Sequence, residues 1–169
     1  SAVRDYATNF GVAVGDKVAI FTNNDDAYRT AITLHELGIT VPVIIDARSG
    51  GGGELAHHAK ELGIRVESGK AILKVFGQKR VKAVTICDYE KSGENKEKIE
   101  CDSIAMSGGW SPVVHLFSHC GGKLKWDEDL ALFRPDKAAK PTSYDGLPFV
   151  TAVGSANGFL LMNEVLIDT

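Results

Sequence analysis

The chain has 169 residues, of which 44% are hydrophobic and 24% charged, and its formal net charge at pH 7 is −3. This composition is typical of a globular protein and excludes a disordered tail or a coiled coil. The slightly acidic charge argues against a nucleic-acid partner, and no apolar run is long enough to cross a membrane or to form a signal peptide. Because Cys87, Cys101 and Cys120 form no paired motif, we expect free thiols and a reducing, cytoplasmic location.

The first third of the chain alternates strand and helix patterns. Apolar runs without polar alternation predict parallel strands that are covered on both faces, and apolar residues at helical spacing predict the helices between them. The predicted strands cover residues 18–21, 41–46 and 64–67, and the predicted helices cover residues 1–10, 27–37 and 54–62. Strand, helix and strand in this order predict a βαβαβ unit with parallel strands.

The pattern then changes to short strands separated by turn-forming residues. Residues 71–76, 81–89 and 98–101 predict a three-stranded antiparallel meander. A strand over residues 103–106 then returns to the parallel sheet and leads into Gly108 and Gly109. The expected fold is therefore α/β, with a Rossmann-like parallel sheet and an inserted meander.

The remaining residues predict a looser arrangement. A short helix follows Pro112, an extended loop covers residues 134–148, and a strand over 149–153 precedes a turn and a helix over 159–166. We expect four parts: a leading helix and linker, a dinucleotide-type domain, a helix with an extended loop, and a closing strand–turn–helix. Their boundaries are residues 1–16, 17–110, 111–148 and 149–169.

The turn after the first strand is where a βαβ unit can receive a nucleotide, because backbone amides at the helix N-terminus can approach a pyrophosphate there. The glycine fingerprint of such turns would fall on Thr22, Asn24 and Ala27, and only Ala27 matches it. Asn24 can adopt a positive φ more easily than most residues, so the turn is feasible. Asp25 and Asp26 suit a helix N-terminus but oppose a bound phosphate.

Two charged residues follow the second predicted strand. Asp46 stands where an acidic residue accepts a ribose hydroxyl in dinucleotide domains, although a solvated aspartate is the alternative. Arg48 could meet a 2′-phosphate or an adenine face, or it could be solvated. The candidate cofactor-binding residues are Thr22, Asn23, Asn24, Asp25, Asp46, Arg48, Gly108 and Gly109.

Other chemistry has weaker support. His115 and His119, with Cys120 adjacent, could donate ligands to zinc, but a fourth ligand at recognisable spacing is missing, so we favour helix surface and packing and expect no metal. The hydrolase, P-loop and zincin motifs are absent, and we assign no catalytic residue.

Longer stretches of the sequence are more specific: TNNDDAYR at 22–29, DAR at 46–48, MSGGWSPVVHL at 106–116, GGKL at 121–124 and AVGSANG at 152–158. Together they resemble the alpha subunit of heterotetrameric sarcosine oxidase across essentially the whole chain. The resemblance covers the inner nucleotide-type domain of that subunit, as found in flavoproteins with two dinucleotide domains, and the short segment after it.

The resemblance implies a flavoenzyme complex that oxidatively demethylates sarcosine to glycine, produces hydrogen peroxide and transfers the carbon to tetrahydrofolate. It implies NAD, or another adenine nucleotide, on this chain, with FAD or FMN and tetrahydrofolate only in the complete complex. The implied partners are the beta, gamma and delta subunits. Since the first glycine fingerprint and the folate-binding region are missing, we do not expect catalysis by this chain alone.

A second interpretation is a domain that has kept the fold and lost the ligand. The missing glycines and the adjacent Asp25 and Asp26 favour it. Such a domain would act as a scaffold on which subunits dock.

Overall fold

The structure of the protein is a computed structural model that describes residues 2–91, 93–160 and 162–168. The chain divides into two units, Ser1–Gly109 and Trp110–Thr169. The helices are α1 (Ala2–Phe10), α2 (Asp26–Glu36), α3 (Gly53–Glu61), α4 (His115–His119) and α5 (Met162–Ile167). The strands are β1 (Val18–Thr22), β2 (Ile44–Asp46), β3 (Val66–Ser68), β4 (Lys70–Gly77), β5 (Val81–Asp88), β6 (Glu97–Glu100), β7 (Ser103–Ser107), β8 (Leu124–Asp127) and β9 (Leu132–Pro135).

A four-stranded parallel sheet in the order β3-β2-β1-β7 forms the centre of the first unit. Alternate residues of β1 and β2 lie in two separate cores. Ile20 and Ile44 pack in the core that contains α2 and α3, whereas Ala19 and Ile45 pack against β5 of the meander. Because both faces are covered, these strands are continuous apolar runs, as the sequence predicted.

The meander is a three-stranded antiparallel sheet in the order β4-β5-β6. Val84 and Ile86 of β5 are at most 1% exposed and pack in the second core together with Ile99 of β6. The chain then enters β7, which pairs with β1 in parallel. The predicted α/β fold with an inserted meander is confirmed.

The parallel register brings three strand ends to one edge of the sheet. Thr22 at the end of β1 is the register partner of Asp46 on β2 and of Ser107 on β7. The helix α2 begins four residues beyond Thr22, at Asp26. This edge is where open parallel sheets bind ligands.

The second unit contains α4, the hairpin β8–β9, a 3₁₀ turn at Gly154–Asn157 and α5. The hairpin was not predicted from the sequence. Trp126 and Phe133 face each other across it, with ring centroids 5.0 Å apart and an edge-on geometry. Arg134 donates to the carbonyl oxygen of Asn157 through Nη2 at 2.9 Å, which ties the hairpin to the 3₁₀ turn.

Three predicted elements differ from the structure. The predicted strand over 149–153 does not form. Among the described residues no strand pairs with this segment, and the Phe149 N–H donates to the carbonyl of Pro141 at 3.2 Å. The predicted strand over 41–46 begins only at Ile44, since Pro42 has no N–H for a ladder. Of the predicted helix over 159–166, Leu161 lies outside the described residues, and α5 begins at Met162.

Within the described part of the chain, the helices are too short or too polar to cross a bilayer.

Candidate functional site

All eight candidate cofactor-binding residues lie at the carboxyl edge of the parallel sheet, in two clusters. Thr22, Asn23 and Asn24 form the turn after β1, next to Gly108 and Gly109 after β7. The second cluster contains Asp25, Asp46 and Arg48. The two clusters are adjacent because β1 lies between β2 and β7.

Side chains hold the turn after β1. The Thr22 hydroxyl accepts a hydrogen bond from the Asn24 N–H at 3.0 Å, and the Asn24 amide donates to the carbonyl of Ser107 at 3.0 Å. The Asn23 amide donates to the carbonyl of Gly108 at 3.2 Å. The turn therefore forms without the positive φ considered for Asn24, which is not among the residues with that conformation.

The carboxylate of Asp46 is fully buried, with 0% of its surface exposed. Its Oδ1 accepts from the backbone N–H of Arg48 at 2.9 Å and from the Arg48 Nε at 3.1 Å. Its Oδ2 accepts from the Arg48 Nη2 and from the Tyr28 hydroxyl, both at 2.8 Å. The alternative of a solvated aspartate is therefore wrong.

These contacts decide the charge states in the cluster. Burial alone would raise the pKa of Asp46, but the hydrogen bonds from Arg48 and Tyr28 outweigh it and hold that pKa below its usual value. Burial, and then the hydrogen bond to Asp46, raise the pKa of Tyr28. The bond to Asp46 raises the pKa of Arg48. At neutral pH the cluster therefore contains a carboxylate, a neutral phenol and a guanidinium.

Asp25 occupies the N-cap position of α2, but its side chain makes no capping bond. Instead, Oδ1 accepts from the Arg48 Nη2 at 2.7 Å and from the Gly52 N–H at 3.1 Å. The Arg48 side chain, 36% exposed, therefore connects the turn after β1 with the turn after β2.

Pairing also reduces the negative charge at the N-terminus of α2. Asp25 is paired with Arg48, and Asp26 is paired with Arg4 at 3.1 Å. Since the first N–H groups of a helix have no partners within it, the first turn of α2 offers donors to an anion at this edge. The repulsion expected from two unpaired aspartates is therefore weakened.

The glycine-rich loop between β2 and α3 packs closely over the cluster. A Cβ at Gly51 would lie 2.4 Å from the Asp46 Oδ2 and 2.5 Å from the Arg48 guanidinium. A Cβ at Gly52, where φ is +88°, would lie 2.6 Å from the Tyr28 ring. The loop therefore needs glycine at both positions for close approach, and at Gly52 also for its backbone conformation.

Tyr28, Gly51 and Gly52 belong to this cluster, although the sequence did not assign them to it. The signal in the sequence was a tyrosine next to the apolar stripe of α2, because a buried tyrosine hydroxyl needs a hydrogen-bond partner. Four consecutive glycines at residues 50–53 were a second signal.

The histidines considered for zinc lie at the two ends of α4, His115 first and His119 last. Among the described residues, no group of three or more His, Cys, Asp and Glu side chains is arranged to hold a metal ion. Cys120 is a half-buried free thiol next to His119.

Solved structures of flavin- and nucleotide-dependent oxidoreductases share this fold. Thioredoxin reductase from Lactococcus lactis superposes with a TM-score of 0.66 and 21% identity, over 91% of this chain and 49% of that one. A 2-naphthoyl-CoA reductase superposes with a TM-score of 0.63 and 19% identity, over 96% of this chain and 21% of that one. At these identities the likeness concerns the fold alone.

No family model matches the chain, but curated sequences do. The sarcosine oxidase subunit alpha of Rhizobium meliloti (strain 1021) is 33% identical over 157 residues, which cover 93% of this chain. That of Corynebacterium sp. (strain U-96) is 34% identical over 141 residues, or 81% of this chain. In both cases the match spans 14% of the relative's length. By sequence, the chain therefore belongs to the family of sarcosine oxidase alpha subunits, of whose length it matches about one seventh.

Proposed function

We propose that this chain is the NAD-type nucleotide-binding domain of a sarcosine-oxidase-like oxidoreductase subunit. The observation that carries the proposal is the meeting of three features at one sheet edge: the N-terminus of α2, the carboxylate of Asp46 at the end of β2, and the two glycines after β7. In a βαβ unit an adenine dinucleotide places its pyrophosphate at the helix N-terminus and a ribose at the acidic residue after the second strand.

In this proposal five candidate residues contact the nucleotide, while Thr22, Asn24 and Asp25 hold the turn after β1 and the Arg48 side chain. The pyrophosphate binds at the first turn of α2, beside Asn23 and the unhindered backbone of Gly108 and Gly109. Asp46 accepts from the ribose hydroxyls, and the guanidinium of Arg48 covers the adenosine. Nicotinamide, when bound, supplies a hydride-accepting ring, whereas this chain's residues only bind and orient the nucleotide.

The proposal extends to the whole subunit. The complex oxidatively demethylates sarcosine to glycine, forms hydrogen peroxide and passes the carbon to tetrahydrofolate, using FAD or FMN outside this chain. The partners are the beta, gamma and delta subunits, and residues 149–169 belong to the first dinucleotide domain of the subunit. A cytoplasmic location agrees with the free thiols of Cys87, Cys101 and Cys120.

One observation favours the alternative of a ligand-free docking scaffold. Tyr28 and Arg48 already satisfy the carboxylate of Asp46, so a nucleotide finds no vacant acceptor there in this structure. A domain that had lost its ligand could fill its site in this way.

Titration of the protein with NAD, NADP and ATP, monitored by amide chemical shifts, distinguishes the nucleotide-binding domain from the ligand-free scaffold. Nucleotide binding changes the amide chemical shifts of residues 22–25, 46–48 and 108–109, and at equal concentration NAD gives the largest changes. The amides of β8 and β9 serve as the internal control. Shifts that are absent from all three groups at millimolar nucleotide would leave the scaffold as the function.

A further inference from the structure

We propose that Arg48 is a displaceable occupant of the ribose subsite, and that a cis-diol enters by replacing two of its hydrogen bonds to Asp46. This inference rests on the proposed function, because it assigns the step by which that site opens.

The number of acceptor positions on the Asp46 carboxylate leads to this inference. A carboxylate has about four lone-pair positions. In Asp46 all are used, two on Oδ1 by the N–H and Nε of Arg48, and two on Oδ2 by the Nη2 of Arg48 and the hydroxyl of Tyr28. The carboxylate is also 0% exposed, so an incoming hydroxyl has no acceptor until a donor leaves.

The four donors differ in how easily they can leave. Tyr28 is 0% exposed, and the Arg48 N–H belongs to the backbone of the turn. The Arg48 side chain is 36% exposed and can swing outwards from Asp46, over the adenosine that it covers in the proposed complex. Its departure vacates one position on Oδ1 and one on Oδ2, and the adjacent 2′- and 3′-hydroxyls of a ribose supply two donors that match them.

Asp25 opposes the departure of the Arg48 side chain from Asp46. Its carboxylate, 56% exposed, holds the Arg48 Nη2 at 2.7 Å. This bridge must open when the guanidinium leaves Asp46, so weakening it favours diol entry. Breaking an exposed ion pair changes the equilibrium constant of the movement that breaks it by a factor of about two to five.

The test compares Asp25→Asn with Asp26→Asn, using adenosine and 2′,3′-dideoxyadenosine as probes in NMR titrations. Both probes lack phosphate, so the charge lost in each variant does not act on a ligand anion. Asn at 25 keeps an oxygen for the Gly52 N–H. Asp26 is the matched control because it pairs with Arg4 and not with Arg48.

The expected result is adenosine binding about two- to fivefold tighter in Asp25→Asn and unaltered in Asp26→Asn, with dideoxyadenosine insensitive to both. The side-chain Nε–H of Arg48 should also exchange faster with solvent when adenosine is bound. Equal effects on the two probes, or no effect of Asp25→Asn on adenosine binding, would overturn the role of Arg48 while the nucleotide site stands. If neither adenosine nor NAD bound to the wild type, to Asp25→Asn or to Asp26→Asn, both proposals would be overturned.

Discussion

Tyr28 donates its hydroxyl to the Oδ2 of Asp46 at 2.8 Å, and both residues are completely buried. This bond joins the core side of α2, the first crossover helix, to the end of β2, the strand into which that crossover leads. The hydroxyl and the carboxylate satisfy each other where water cannot reach, so the bond stabilises the position of the candidate site.

Tyr28→Phe tests that bond. Removing the hydroxyl leaves a buried acceptor of Asp46 without its donor, and we expect a loss of about 1–3 kcal/mol in the free energy of unfolding. Urea denaturation measures it. Tyr6→Phe is the control: Tyr6 is 53% exposed, and its substitution should change stability by less than about 0.5 kcal/mol. Similar losses in the two variants would contradict the importance of the buried bond.

Gly51→Ala and Gly50→Ala form a matched pair in the glycine-rich loop. The added Cβ at Gly51 would lie 2.4 Å from the Asp46 Oδ2, whereas Gly50 has open space. We expect Gly51→Ala to lower stability by about 1–3 kcal/mol through overpacking, and Gly50→Ala to be neutral or slightly stabilising. Thermal unfolding measures both. An equally tolerated alanine at Gly51 would mean that the loop does not pack on Asp46 in solution.

The acid dependence of stability follows from the lowered pKa of Asp46. A carboxyl whose pKa is lower in the folded than in the unfolded state stabilises the protein above its unfolded pKa of about 3.9. That contribution decreases as the pH falls from there through the folded pKa. The free energy of unfolding should therefore decrease as the pH falls below about 4.

Asp46→Asn isolates this contribution, because other carboxyls with lowered pKa values remain in the variant: Asp88, Glu97, Asp127, Asp145 and Asp168. The variant should be less stable at pH 7 by about 1–3 kcal/mol, since the charge-assisted hydrogen bonds to Asp46 are weakened while the exposed Asp25 still pairs with Arg48. The difference from the wild type should narrow as the pH falls. A difference that stays constant with pH would contradict the lowered pKa of Asp46.

In the second unit, Arg134→Lys tests the link between the hairpin and the 3₁₀ turn. The guanidinium donates to the carbonyl of Asn157 through Nε and Nη2 and to Asp127 through Nη1 at 3.0 Å, and a lysine cannot make all three bonds. We expect faster hydrogen exchange in β8 and β9, equivalent to about 1–3 kcal/mol. Arg80→Lys, at an exposed position, is the control and should leave exchange in β8 and β9 as it is in the wild type. Matching exchange in the two variants would contradict the link.

Much of the first unit was predictable because its strands are covered on both faces. The apolar runs at residues 18–21 and 64–67, with helical spacing between them, led to β1, β3, α2 and α3 in the correct order. The second unit was less predictable. The strand β8 alternates apolar and polar residues, but each strand of the hairpin β8–β9 has only four residues, the shortest length at which alternation predicts a strand.

The sequence by itself determined the α/β order of the first unit, the inserted meander and the position of Asp46 at a strand end, since periodicity and turn residues are local properties of a chain. Tertiary structure alone decided that Asp46 is buried, that Tyr28 and Arg48 donate hydrogen bonds to it, and that Asp25 also accepts from Arg48. The reason is geometric. Crossover helices bring side chains that are distant in sequence to one sheet edge, and only there can donors and acceptors satisfy each other away from water.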